Sequence, residues 1–252
     1  MSVHILWLWA LHAPLLSPTK RQHGPLHCVN QRIHSANNDL FPKYKREKEE
    51  EEIDSACLMC TNQNLDFQVG TTKRRALGEF DLLVQVQYCG ICHTDLHFAN
   101  NDLGNTKYPI VLGHEIVGIC TKIGSKVNNS KFRVGDKIGV GFIVDSCLEC
   151  DLCAKGQEQY CRKGPTITYG SQDIHGRSPV GSSDVTFGGF SSRIVVHERF
   201  AVRIPDSYPL KSAAPLMCAG ITVYTPLKKC EVGTKSRVGI IGLGGLGTMV
   251  SC

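Results

Sequence analysis

No run of apolar residues in this 252-residue chain approaches the roughly 18 to 20 that cross a bilayer, so no membrane helix is expected. The nearest candidate, Ile5 to Leu16, has the length of a signal-peptide core. It lacks the Lys or Arg that should precede such a core and the small-x-small cleavage site that should follow, so a cytoplasmic protein is expected. A large excess of one charge is also missing. The 28 Lys and Arg against 23 Asp and Glu leave +5 on a chain that is 20 % charged, too even a balance for a strong field toward nucleic acid or anionic lipid. Sustained periodicity is absent from Ser17 to Ser55, which carries scattered His, Asn and Pro and closes on the charged run KYKREKEEEE, Lys43 to Glu52. Residues 1–55 therefore read as a solvated, poorly ordered leader, with a short charged helix at 43–52 as the alternative. There is no internal repeat.

Cysteine, by contrast, is plentiful. Thirteen is an odd count in a chain too long for a small disulfide scaffold, and several lie at two-residue gaps, which favours metal thiolates in a reducing compartment. A hydrophobic content of 42 % is enough to bury a core. From about Leu82 the texture is that of antiparallel strands: LLVQVQY alternates, IVGICTKIG and KIGVGFIV are short β-rich runs bounded by Gly, and Val134–Asp136 reads as a turn. A Gly/Ser-rich loop from Gly176 to Gly189 precedes a second strand group at Phe190–Ile204. Ser212–Lys229 reads as helical with Pro215 and Pro226 at a start or a kink, and SRVGIIG as a buried-type strand.

Three constellations carry chemistry. Cys147, Cys150, Cys153 and Cys161 follow C-x2-C-x2-C-x7-C in one polar loop. Four local thiolates can close a tetrahedral zinc shell with no open position, a structural site; an iron–sulfur cluster is the alternative, against which stand the missing proline and the non-ferredoxin spacing. Cys92 in YCGICHTDLH, His114 in GHE and Cys218 in PLMCAGITVY are dispersed. Singly each is ordinary: a His beside Glu is usually a surface pair, and a Cys in an apolar helix a small core residue. Together two thiolates and an imidazole would leave zinc a fourth position for water or substrate. Finally Gly242, Gly244 and Gly247 in VGIIGLGGLG form G-x-G-x-x-G directly after a strand, where a pyrophosphate can approach backbone N–H groups.

In this order and spacing, GHE, the four-cysteine loop, PLMCAGITVY and GLGGLG resemble the plant cinnamyl alcohol dehydrogenase group, mannitol-dehydrogenase-like members included, of the zinc-dependent medium-chain alcohol dehydrogenases. The resemblance runs from about Arg74 to Met249. It implies a mixed α/β chain: a β-rich GroES-like zinc-binding catalytic domain over residues 56–217, then the first strand and glycine turn of a truncated Rossmann domain over 218–252. It further implies structural zinc on Cys147, Cys150, Cys153 and Cys161, and catalytic zinc on Cys92, His114 and Cys218. Glu115 would stand beside that zinc, and Asp95 would orient the histidine ligand.

The implied reaction is reversible hydride transfer between an allylic or aromatic primary alcohol and NADP, as in phenylpropanoid and lignin chemistry, with zinc as Lewis acid and Thr94 and His97 passing the proton to solvent. NADP would lie on Gly242, Leu243, Gly244, Gly245, Leu246 and Gly247. A homodimer is expected only of a full-length member, and neither nucleic acid nor membrane is an expected partner. The segment Ala56–Thr72 matches the family poorly, and Thr166 stands five residues beyond the last loop cysteine where lignin-directed members carry a tryptophan, which would favour another alcohol. A zinc-binding module without catalysis is the rival reading; a nucleic-acid-binding zinc module lacks separated knuckles and a basic stripe.

One expectation concerns the glycine turn. Only five residues follow Gly247 in the sequence, too few for a stable helix start without support. Calorimetric titration of the zinc-loaded chain with NADP is expected to show no saturable binding at micromolar concentration.

Overall fold

The structure, a computed structural model, describes residues 3–5, 52–176 and 185–251. Most of the apolar segment 5–16, the charged run at 43–51 and the middle of the Gly/Ser-rich loop, 177–184, lie outside the described residues. The elements in chain order begin with β1 (Val3–Ile5), β2 (Ile53–Cys60), β3 (Phe67–Arg74), β4 (Asp81–Gly90) and α1 (His93–Ala99). There follow β5 (Glu115–Ile123), β6 (Lys137–Val140), β7 (Ile143–Asp145), α2 (Asp151–Ala154) and β8 (Thr166–Ile167). The remainder is β9 (Arg193–His197), β10 (Ala201–Arg203), α3 (Leu210–Ala213), α4 (Ala219–Lys229), β11 (Arg237–Gly239) and α5 (Gly245–Ser251).

The centre is a five-stranded antiparallel sheet in the order β10-β6-β5-β4-β9, built from the runs whose alternation announces strands. Leu82, Val84, Ile116, Ile138, Val140, Ile194 and Val196 fill one side of it with Phe132, all fully or nearly fully buried. β5 is buried on both faces: Ile116 enters this cluster, whereas Val117 enters another with Ile204, Ala213 and Ala214. The chain leading to Cys218 therefore packs against the back of β5. Its close approach to the sheet needs a missing side chain, because a Cβ on Gly141 would lie 2.7 Å from the Met217 carbonyl oxygen.

Two sequence expectations change here. The leader assigned to 1–55 contains β1 and the start of β2, and the poorly matching segment 56–72 forms most of a hairpin in which Ile53 pairs with Arg74 through to Cys60 with Phe67. The inward residues of β2 are Ser55, Cys57 and Cys60. Small and weakly apolar, they alternate without a strong hydrophobic signal. The helical stretch also divides: α3 passes into a 3-10 turn at Ala214–Met217, and the backbone breaks at Cys218 (φ −126°, ψ −74°) before α4 begins. Pro215 starts the turn and Pro226 lies inside α4. The strand before the glycine turn pairs in parallel with β1, whose Val3, His4 and Ile5 stand opposite Arg237, Val238 and Gly239.

Substitution at Gly141 tests the packing account. Gly141→Ala forces the Met217 backbone away and is expected to cost about 1–3 kcal/mol in urea unfolding. Gly239→Ala, where a Cβ meets nothing within 4 Å, is expected to leave the midpoint within about 0.5 kcal/mol of the parent.

Candidate metal centres and the glycine turn

Cys92 is placed by the start of α1. It is the N-cap residue, in extended conformation, and Asp95 at the third helical position accepts its backbone N–H through Oδ2 at 2.8 Å. The other oxygen of the same carboxylate accepts from Gly113 N at 3.1 Å, His114 Nδ1 at 3.0 Å and the Tyr169 hydroxyl at 2.7 Å. One buried side chain thus fixes two loops, and with them Cys92 and His114. Cys218 arrives from the break between the 3-10 turn and α4.

The three side chains, dispersed over the sequence, converge: their ligand atoms lie within 4.8 Å of one another. The Cys92 and Cys218 Sγ atoms are 4.0 Å apart, and His114 Nε2 is 3.3 Å from the Cys218 Sγ. A tetrahedral zinc with Zn–S of about 2.3 Å and Zn–N of about 2.0 Å sets these separations near ~3.8 and ~3.5 Å, so the donor set fits the ion in chemistry and spacing. Crowding shifts the protons. A hydrogen bond from Cys218, opposed by burial and helped by His114, lowers the Cys92 pKa to about 3, while Cys218 is pushed up by its bond to Cys92 and by burial. Burial works to lower His114, yet its hydrogen bonds to Asp95 and Cys92 win and raise it to about 9. A bound cation would displace protons from these donors.

Glu115, the first residue of β5, is buried beside this cluster and accepts the Ala219 N–H; burial and then the Cys92 charge raise its pKa. Thr94 Oγ1 lies 3.6 Å from Cys92 Sγ. His97 stands one turn further along α1, its Nδ1 2.7 Å from Asp102 Oδ2 and its ring edge-on to His93 at 4.8 Å. Two members of this neighbourhood escape a reading of the sequence. Asp102 sits in an unremarkable polar turn, and Tyr169 looks like any core aromatic; the buried ring of Tyr169 packs edge-on to Phe98, and the ring of Phe142 packs edge-on to His114.

Cys147, Cys150, Cys153 and Cys161 also bring their sulfurs within 4.8 Å, with Cys147 and Cys153 at 3.9 Å. Among the described residues every cysteine is a free thiol. The backbone N–H groups of Arg162 and Cys153 lower Cys150 to about 6, while burial holds Cys153 up at about 11. The loop is braced from outside by Arg162 on Asp151, Lys163 on Glu149 and Arg199 on Glu158, with Arg199 also donating to the Cys153 carbonyl at 3.1 Å. All four donors come from within the loop.

At the glycine turn the residues divide the labour. Gly242 has φ +91°, and a Cβ on Gly247 would lie 1.9 Å from the Gly242 carbonyl oxygen, so only glycine at 247 lets α5 sit against the turn. Around Gly244 and Gly245 an added Cβ meets nothing within 4 Å. That space is open to a ligand.

Thr166, weighed in the sequence as a mark of the alcohol used, lies apart from Cys92, His114 and Cys218. It is buried and lines a cavity of about 60 Å³ with Arg75, Asp145 and Asp173, to which none of Cys92, His114 and Cys218 contributes. Its neighbour Ile167 packs against the cluster containing Phe98 and Tyr169. Successive strand residues face opposite ways, so the nature of residue 166 says nothing about the cluster at His114.

Known proteins similar to this chain are alcohol dehydrogenases. A chain 49 % identical over 179 residues is named "Probable cinnamyl alcohol dehydrogenase 6" in Oryza sativa subsp. japonica, and it covers 69 % of this chain and 47 % of that relative. A "Probable mannitol dehydrogenase" of Mesembryanthemum crystallinum is 51 % identical over 177 residues, covering 70 % and 46 %. The chain thus spans about half the length of the curated relatives it matches. Among solved structures, a cinnamyl alcohol dehydrogenase from Sorghum bicolor superimposes with a TM-score of 0.72 at 40 % identity, over 78 % of this chain and 54 % of that one. The CAD from Helicobacter pylori complexed with NADP(H) gives 0.71 at 37 % identity, over 79 % and 55 %. The alcohol dehydrogenase GroES-like domain matches residues 78–206, the span holding the central sheet, Cys92, His114 and the four-cysteine loop, and the chain belongs to that family.

Proposed function

We propose that this chain supplies the metal-binding half of a zinc-dependent, NADP-linked alcohol dehydrogenase acting on allylic or aromatic primary alcohols. The observation that carries the reading is the pairing of two unlike clusters: four thiolates that complete a shell by themselves, and a Cys92–His114–Cys218 set that fills only three of four positions. The first would hold a structural zinc and the second a catalytic one. The catalytic part runs to about residue 217, extended at its start by β2, and the dinucleotide-binding part begins with α4. A homodimer would be formed only by a full-length chain, and the cytoplasm suits the unoxidised thiols.

Zinc, when bound, would supply Lewis-acid chemistry at the substrate oxygen. The rest falls to the protein. Asp95 orients His114 and the Cys92 backbone; Glu115 keeps a carboxylate beside Cys218. The Thr94 hydroxyl takes the alcohol proton and His97 releases it toward solvent, its ring steadied by Asp102. NADP would rest its pyrophosphate on residues 242–247, with Gly242, Gly244 and Gly247 shaping the turn and Leu243, Gly245 and Leu246 completing it. The mannitol dehydrogenase named above is as similar as the cinnamyl alcohol dehydrogenase, which favours a sugar alcohol as the second substrate reading.

Elemental analysis of the purified chain is expected to find two zinc ions per chain. Cys150→Ser is expected to remove one and loosen residues 147–161 in hydrogen exchange; metal-free folded protein would refute the assignment. In a chimaera joining this chain to the remaining half of the Mesembryanthemum relative, Thr94→Ala is expected to lower kcat about 10²- to 10⁴-fold with little change in substrate affinity. Full kcat, where chemistry limits turnover, would remove Thr94 from the proton path.

A further inference from the structure

Tyr169 is fully buried, and its hydroxyl is spent at the His114 cluster. The hydroxyl donates to Asp95 Oδ1 at 2.7 Å and lies 3.1 Å from His114 Nδ1, which is itself 3.0 Å from the same carboxylate oxygen. Among the described residues, Tyr169 is the one side chain besides His114 that donates to Asp95; the other donors are the backbone N–H groups of Cys92 and Gly113. The ring is held edge-on by Phe98 at 5.1 Å and Phe142 at 6.1 Å, so the hydroxyl has little freedom to go elsewhere. A phenylalanine would fill the same space. Burying a hydroxyl costs free energy unless it is partnered, so packing alone does not account for a tyrosine here.

We propose that Tyr169 is a positioning residue for the three-ligand cluster: with Asp95 it forms a pair of oxygens that holds the His114 Nδ1–H from two sides and keeps Nε2 turned toward Cys92 and Cys218. The proposal rests on the zinc reading above. Asp95 Oδ1 and the Tyr169 hydroxyl oxygen both lie within hydrogen-bond distance of His114 Nδ1, which leaves Nε2 as the ring nitrogen that faces the Cys218 Sγ, at 3.3 Å. Without the hydroxyl the carboxylate keeps its two backbone donors but loses the group that prevents it from swinging with the imidazole. Such outer partners are commonly worth 10- to 100-fold in metal affinity.

The test uses the whole chain and its two clusters as each other's control. Zinc affinities of both sites are measured by competition with a chromophoric chelator, the sites being told apart with Cys150→Ser and Cys92→Ser. Tyr169→Phe is expected to weaken the Cys92–His114–Cys218 site about 10-fold and leave the four-cysteine site unchanged. Phe98→Leu, which trims the packing on the same ring and spares the hydroxyl, is expected to leave the ratio of the two affinities at its parental value. An unchanged or tighter site in Tyr169→Phe, or an equal loss in Phe98→Leu, overturns the proposal. A parental chain that binds zinc only at the four cysteines overturns the zinc reading and this proposal together, a result distinct from either of those. Should Tyr169→Phe not fold, NMR of the parental zinc-loaded chain decides: a slowly exchanging Tyr169 hydroxyl proton close to the His114 Nδ1 proton supports the proposal, and a freely exchanging one overturns it.

Discussion

Everything around the three-ligand cluster depends on one buried carboxylate. Asp95 accepts four hydrogen bonds, two from backbone N–H groups and two from side chains, and its oxygens divide between the start of α1 and the loop before β5. Burying an ionised carboxylate is costly unless its lone pairs are used, and here they are. The consequence is geometric. Two donors that come from different parts of the chain share one rigid reference point, so their separation is set before any ion arrives.

The two cysteine-rich clusters achieve closeness by opposite means. In the loop 147–161 sequence proximity does the work, and surface ion pairs from Arg162, Lys163 and Arg199 brace the outside. At Cys92, His114 and Cys218 the central sheet does it: β5 begins at Glu115, directly after His114, and its second buried face receives the segment that ends in Cys218.

Much of this was legible in the sequence where the signal is local. LLVQVQY and IVGICTKIG became β4 and β5 because their apolar residues alternate or are buried on both faces. The four-cysteine spacing is its own evidence. Dispersed features were a different matter: the convergence of Cys92, His114 and Cys218 followed only from resemblance, since spacing carries no information about a tertiary meeting of residues so far apart. β2 hid because Ser55, Cys57 and Cys60 line its inner face, and Tyr169 hid because a buried aromatic and a hydrogen-bonding one look alike on paper. At residue 166 counting from the last cysteine misled, for the face a strand residue takes depends on register and not on distance along the chain.

Cys92 and Cys218 lie 126 residues apart in sequence, with four of the five central strands and the four-cysteine loop between them. An ion held by both would act as a staple across that interval. Chain-entropy arguments give a covalent closure of about 100 residues roughly 4.7 kcal/mol and one of about 15 residues roughly 3 kcal/mol, with the mechanism model-dependent. On that scale an ion on Cys92 and Cys218 would restrain the unfolded chain more than one held within the four-cysteine loop. Loss of such an ion would then be felt beyond the cluster itself, as slackening between the sheet and the helix that begins at Ala219.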